Sequence, residues 1–202
     1  MKSRSWIAVV AIVSVMALAM PLTLAQEGEE MSAEQQEMMQ KWMAFMTPGE
    51  PHERLAEKVG TWNFTTKMWM QQGAPPEESS GVTESEMIMG GRYLMDKVEG
   101  SAMGMPFKGL GISGYDNLNN EFVGMWIDSF GTGIMTTTGS CNDDWTVCTS
   151  EGIAPDPITG TNKKFKMVDR KIDADNYVFE MYDTNSDGEE WMTFEMTYKR
   201  AP

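Results

Sequence analysis

The chain of 202 residues carries 30 Asp and Glu against 16 Lys and Arg, a net charge of −14, with a single histidine, two cysteines and 21 methionines. A surface of that sign repels phosphate backbones and anionic lipid heads, which excludes nucleic acid as a partner. The length accommodates one domain with a sizeable core.

At the amino end, Met1-Lys2-Ser3-Arg4 precedes an uncharged run from Trp6 to Leu24, and Thr23-Leu24-Ala25 stands before the polar Gln26. This is the pattern of a secretory signal peptide spanning residues 1 to 25 and cleaved after Ala25. An uncleaved anchor is the alternative, since the run is barely long enough to cross a bilayer. Pro21 and the small junction residue suit processing better, and no cysteine follows that would take a lipid. Cleavage removes Lys2 and Arg4 and no acid, moving the net charge from −14 to −16. The expectation is a periplasmic or secreted protein with no stable membrane insertion.

Residues 26 to 33 read as a solvated, disordered acidic leader. From 34 to 46, Met38, Met39, Trp42, Met43 and Met46 recur at the spacing of one helical face, which predicts a short amphipathic helix whose apolar face covers a core. Its only cation is Lys41, fewer than a membrane-surface helix carries.

A second helix is signalled by Thr47-Pro48-Gly49-Glu50, which resembles a capping box, with Pro51 delaying the start to about that point. Pro51, Leu55 and Val59 form an i, i+4, i+8 stripe, and Gly60 is a natural stop. His52 stands beside the stripe. A catalytic base would need a nucleophile or carboxylate in reach, and a metal ligand would need companions drawn from carboxylates or thiolates. The position suits a half-buried ring that bonds a backbone carbonyl or a carboxylate at the base of a β-structure.

Beyond Gly60 the period becomes two. Trp62, Phe64, Met68 and Met70 share one face of the first strand, and Asn63, Thr65 and Lys67 the other. Nine further segments follow: Val82 to Met89, Arg92 to Gly100, Phe107 to Tyr115, Glu121 to Ile127, Gly133 to Ser140, Trp145 to Ile153, Lys163 to Ile172, Asn176 to Tyr182 and Trp191 to Arg200. Turn clusters such as Asp116-Asn117 and Asn142-Asp143 separate them. About ten consecutive antiparallel strands after a helical lead predict an all-β, up-and-down barrel over residues 47 to 202, or two stacked sheets. A closed barrel of that size has an interior lined by alternate residues and room for a ligand.

Within these strands several residues are candidates for chemistry. Arg92, Tyr115, Trp126 and Asp128 lie on neighbouring strands; turned inward they would be the polar anchors of an apolar pocket. Alternatively Tyr115 and Asp116 close a turn and Asp128 bonds loop amides. Glycines at 100, 104, 109, 111 and 114 either leave cavity volume or let the sheet bend. Cys141 and Cys148 face each other if the chain turns at Asp144 and Trp145, which predicts a disulfide in an oxidising compartment. Free thiols are the alternative, and no local histidine or second cysteine pair completes a metal site. Methionine pairs such as Met68 and Met70, Met87 and Met89, and Met103 and Met105 offer soft thioethers for copper, but their spread over many strands reads as core or cavity wall. Asp183, Asn185, Asp187 and Gly188 mimic a calcium loop whose twelfth position is Phe194, so a hairpin turn is the better reading.

Three stretches carry a resemblance: "WMAFMTPGEPHERLAEKVGTWNFTTKMWM", "MGGRYLMDKVEGSAMGMPFKGLGISGYDNLNNEFVGMWIDSFGTGIM" and the closing "FEMTYKR". Together they resemble the bacterial DUF1579 family, domains of unknown function, from about Trp42 to Arg200. Gly60-Thr61-Trp62 and Arg200 also resemble the signature of the calycin superfamily, which includes lipocalins and fatty-acid-binding proteins. The resemblance implies a barrel in which Trp62 closes one end and Arg200 packs over its indole, a cation-π stack of ~0.5 to 2 kcal/mol. Haem-binding calycins, the nitrobindins, take their iron ligand from a histidine near the C-terminal end. This chain has none there, so no cofactor is expected.

The reading that emerges is an exported, lipocalin-like barrel that binds a small apolar or amphipathic ligand without altering it, with no metal. The alternatives are an envelope module that docks another protein through its amphipathic helix, an enzyme that uses His52 or Asp128 in the barrel cavity, and a methionine-rich scavenger of copper or oxidants.

Overall fold

The computed structural model describes residues 31 to 202 apart from 158 and 186. The expected signal peptide and most of the acidic leader lie outside the described residues. The chain divides into two compact units, one ending at Met39 and one running from Gln40 to Pro202. No helix among the described residues is long and apolar enough to cross a membrane.

Helix α1 (Ala33–Met46) forms where the helical period predicts it, but it buries none of its residues. The expectation that its apolar face covers a core is therefore corrected: Met38, Met39, Trp42, Met43 and Met46 are all exposed, Trp42 by 56 %. Its last turn is nevertheless held. Asn117 Nδ2 lies within hydrogen-bond reach of the carbonyls of Ala44, Phe45 and Thr47, and Arg92 Nη2 donates to Met46 O at 2.7 Å. These donors satisfy carbonyls that a helix end leaves unpaired.

Helix α2 (Glu50–Ala56) is two turns long and is capped by Gly49, close to the start expected at about Pro51. Gly49 has no side chain to cap with, and His52 supplies the returning half of the capping box: its Nδ1 accepts a hydrogen bond from the Gly49 N–H at 3.1 Å. The ring bonds an amide, not the carbonyl or carboxylate expected of it. His52 and Leu55 are buried, whereas Val59 is 40 % exposed, so the stripe from Pro51 to Val59 holds for its first two members only.

Ten strands follow: β1 (Gly60–Met68), β2 (Glu77–Ile88), β3 (Tyr93–Ala102), β4 (Met105–Asp116), β5 (Glu121–Asp128), β6 (Met135–Cys141), β7 (Val147–Asp156), β8 (Thr161–Lys171), β9 (Asn176–Thr184) and β10 (Glu190–Arg200). Each pairs antiparallel with its neighbour in sequence, and β10 pairs with β1, closing an up-and-down barrel without a free edge. Alternation places one face of every strand inside. In β1, Trp62, Phe64 and Thr66 are buried while Thr61, Asn63 and Thr65 are exposed.

The interior is filled at the end remote from α2. Phe64, Val98 and Met196 form its buried centre, with Phe107, Trp126, Phe179, Phe194 and Tyr198 packed against them. Burial of each such side chain is worth about 1.5–3 kcal/mol. Gly109 makes room for one of them, because a Cβ there would lie 2.3 Å from the Trp126 indole. That glycine is matched by a ring and leaves no hollow.

At the α2 end the barrel is latched through its closing seam. Trp62 is the register partner of Arg200, whose guanidinium lies 4.0 Å from the indole centroid. Arg200 also donates to the carbonyls of Val59 (2.7 Å), Glu57 (2.9 Å) and Ala174 (3.2 Å) and to Asp175 Oδ1 (3.1 Å). Trp62 Nε1 donates to Lys58 O at 2.8 Å. Gly60 has φ 131°, and a side chain there would meet Arg200 Nη1 at 2.8 Å, so both backbone and space require glycine at the start of β1.

Candidate functional site

Helix α2 contacts β2, β3 and β4, and beside it a cavity of about 370 Å³ penetrates the upper half of the barrel. Its walls are Leu55, Trp62, Phe122, Val123, Trp145 and Tyr177. Trp145 hangs from the β6–β7 hairpin at φ 60°, edge-on to Phe122 with centroids 6.0 Å apart. Cys141 and Cys148 also line the cavity, with their sulfurs bonded across directly opposed positions of β6 and β7.

The depth of the cavity is polar. Ser113 of β4, Thr137 of β6 and Ser150 of β7 reach it from separate strands, two residues further inside than Tyr115 and Cys148 and four further than Cys141. The strands keep space before these hydroxyls by using glycine opposite them. A Cβ on Gly124 would stand 2.6 Å from Thr137 Oγ1, and one on Gly139 would stand 2.5 Å from Ser150 Cβ.

Lys58 enters from the link between α2 and β1. Its Nζ lies 3.0 Å from Asp169 Oδ1 and 4.9 Å from the centroid of the Tyr177 ring, with 36 % of the side chain still accessible in the cavity wall. Enclosure favours the neutral amine, but the Asp169 carboxylate and, more weakly, Asp96 outweigh it and hold the ammonium more firmly than in ordinary lysine. Behind this pair Asp96 faces the interior from β3. Burial raises its pKa, the Ser85 hydroxyl (2.5 Å) and Lys58 oppose the rise, and Asp169 adds to it; the net result is a carboxyl above the ordinary range. Tyr177 and Tyr198, stacked 4.1 Å apart, are pushed well above ordinary phenols, first by burial. They remain neutral hydrogen-bonding groups.

The remaining cations of the cavity are all engaged. Arg54 pairs with Glu50 and Glu57, Arg170 with Glu180, Lys171 with Glu57 and Arg200 with Asp175. The Lys171 hydrogen bond, opposed by burial and helped by Arg54, lowers the Glu57 pKa.

Of the residues expected from sequence, Trp62, Arg200, Cys141 and Cys148 border this cavity; His52, Arg92, Tyr115, Trp126 and Asp128 do not. His52 is occupied in the α2 cap and meets Tyr115 edge-on at 6.0 Å. Arg92 closes α1. Trp126 lies in the filled half and donates through Nε1 to Asp128 Oδ2 at 2.9 Å, while Asp128 Oδ1 accepts from the amides of Phe130 and Gly131. None of the five lines this cavity: His52, Arg92, Trp126 and Asp128 each make a local hydrogen bond, and Tyr115 packs its ring against His52 and Phe122. Asp183 is paired with Lys163, which favours the hairpin over the calcium loop. Met70, Met89, Met103 and Met105 are exposed, away from any shared interior cluster. Among the described residues no group of three or more His, Cys, Asp or Glu could hold a metal.

Lys58, Asp96, Asp169 and the three hydroxyls escape a sequence reading. The available signal is phase: Asp96 alternates with Leu94 and Val98, and Asp169 follows Met167 by two, so each carboxylate sits where the pattern demands an apolar residue.

The family model described as "Protein of unknown function (DUF1579)" matches residues 47–200, beginning just after α1. The curated proteins give no match. Among solved structures, Rv2717c from M. tuberculosis is similar at a TM-score of 0.56 and 13 % identity, over 77 % of this chain and 100 % of that one. A de novo designed fluorescence-activating β-barrel is similar at a TM-score of 0.41 and 15 % identity, over 73 % of this chain and 96 % of that one. At such identities the likeness to Rv2717c concerns the fold alone.

Proposed function

The chain belongs to the DUF1579 family, whose description carries no activity, and from its own cavity we propose that it is an exported barrel that binds a small apolar or amphipathic molecule without altering it. The observation that carries this reading is the asymmetric interior: one half packed solid, the other a cavity of about 370 Å³ with aromatic walls and a polar depth. That volume lies in the range of small-molecule pockets. Export is supported by the charge and apolar pattern of residues 1 to 25 and by the disulfide.

Native mass spectrometry after gentle purification and displacement of a fluorescent lipid probe test the proposal together. Ser150→Phe, which fills the cavity from β7, is expected to weaken probe binding at least tenfold while the barrel stays folded. An unchanged affinity in that variant would remove the cavity from the account. An envelope docking role remains a second reading because α1 presents Met38, Trp42 and Phe45 to solvent. It requires a pull-down that depends on residues 33 to 46 and persists in Ser150→Phe.

A further inference from the structure

The charges and hydroxyls of the cavity restrict what can enter it. Lys58 is neutralised by Asp169, and every other cation of the lining is bonded to a carboxylate. An anionic head finds no unopposed countercharge, and among the described residues the one lining carboxylate without a cation, Asp173, already accepts from the Asn176 amide and the Asp175 N–H. A charged head would have to break one of these pairs or hydrogen bonds to gain a partner, and that is costly. Ser113, Thr137 and Ser150 are different. Among the described residues none of their hydroxyls has a hydrogen-bond partner on the protein, and each can donate and accept. They lie at the inner end of a cavity whose walls include the rings of Trp62, Phe122, Trp145 and Tyr177.

Building on the ligand-binding reading, we infer that the ligand is an uncharged, ring-shaped molecule with a hydroxyl or amide group, bound with that group inward against Thr137, Ser150 and Ser113 and its ring among the aromatic walls. A polar group that both donates and accepts satisfies the hydroxyls without disturbing Lys58 and Asp169. A flat body exploits aromatic faces at little conformational cost.

The test is isothermal titration of the full chain with four probes of one shape: 2-naphthol, naphthalene, 2-naphthoate and 2-naphthylmethylammonium. The expected result is that 2-naphthol binds at least tenfold more tightly than the other three. Thr137→Val and Ser150→Ala should each weaken 2-naphthol severalfold and leave naphthalene unchanged. Tighter binding of either charged probe overturns the inference in favour of an ionic head, and equal binding of naphthalene overturns the role of the hydroxyls. Weakening of both neutral probes alike in the variants would mean a general loss of the cavity and overturns it too. If none of the four binds while the fluorescent lipid probe is still displaced, the inference falls and the ligand-binding reading stands. If neither binds, both fall.

Discussion

Arg200 concentrates more structural duties than any other side chain described above: a ring contact, three carbonyls and a carboxylate, drawn from α2, its link to β1, the β8–β9 turn and its own strand partner. A lysine keeps the charge but not the planar fork, so Arg200→Lys is expected to cost about 2 kcal/mol in a denaturant titration. Asp96 is a residue of the opposite kind. Its folded pKa lies above the unfolded value of 3.8, so its carboxyl ionises first in the unfolded chain. The stability it contributes is complete below that value, is lost as pH rises from there through the folded pKa, and stays lost above it. Asp96→Asn cannot ionise and still accepts from Ser85. The variant should match the parent near pH 3 and exceed it by about 1 kcal/mol near pH 7, the scale of relieving an imperfectly compensated buried charge. Denaturant midpoints measured across that range decide it, and a difference that shrinks with rising pH would refute the assignment.

At the level of elements, the strands were legible because alternation is a local property: β1 announces its inner face as Trp62, Phe64 and Thr66 with no help from its partners. The candidate site was not, because its pieces meet only after folding. Lys58 and Asp169 are 111 positions apart, and nothing near Lys58 indicates that a carboxylate awaits it. His52 drew notice for its rarity, and the structural role that its position suggests is a cap three residues long. The sequence around α1 specified the helix and its stripe but not whether anything covers that stripe. The β6–β7 hairpin offers an element-scale test. Its disulfide joins residues seven apart, a short loop, so Cys141→Ser with Cys148→Ser should cost about 2 kcal/mol and leave a folded barrel. Thermal unfolding by circular dichroism is the measurement, and loss of the cooperative transition would show that the hairpin supports far more than itself.

For the whole molecule, stability depends on closure. Nine of the ten strand pairings join neighbours in sequence, and only the β1–β10 seam spans the domain. A chain ending after Glu195 would lack Met196 and Tyr198 from the interior and Arg200 from the latch. It is expected to show no cooperative thermal transition, while conserving strand content in far-ultraviolet spectra. A sharp transition close to that of the full chain would refute the idea that the seam holds the barrel as one unit.

The seam also has a consequence for biosynthesis. The strand made first needs the strand made last, and Val59 waits 141 residues for the guanidinium that bonds its carbonyl. Throughout translation the nascent chain can be at most a curled, open sheet with a bare edge on each side, the state in which strands are most prone to join a stranger. The finished barrel has no such edge, so the exposure of its strands to aggregation is confined to the interval before β10 pairs with β1.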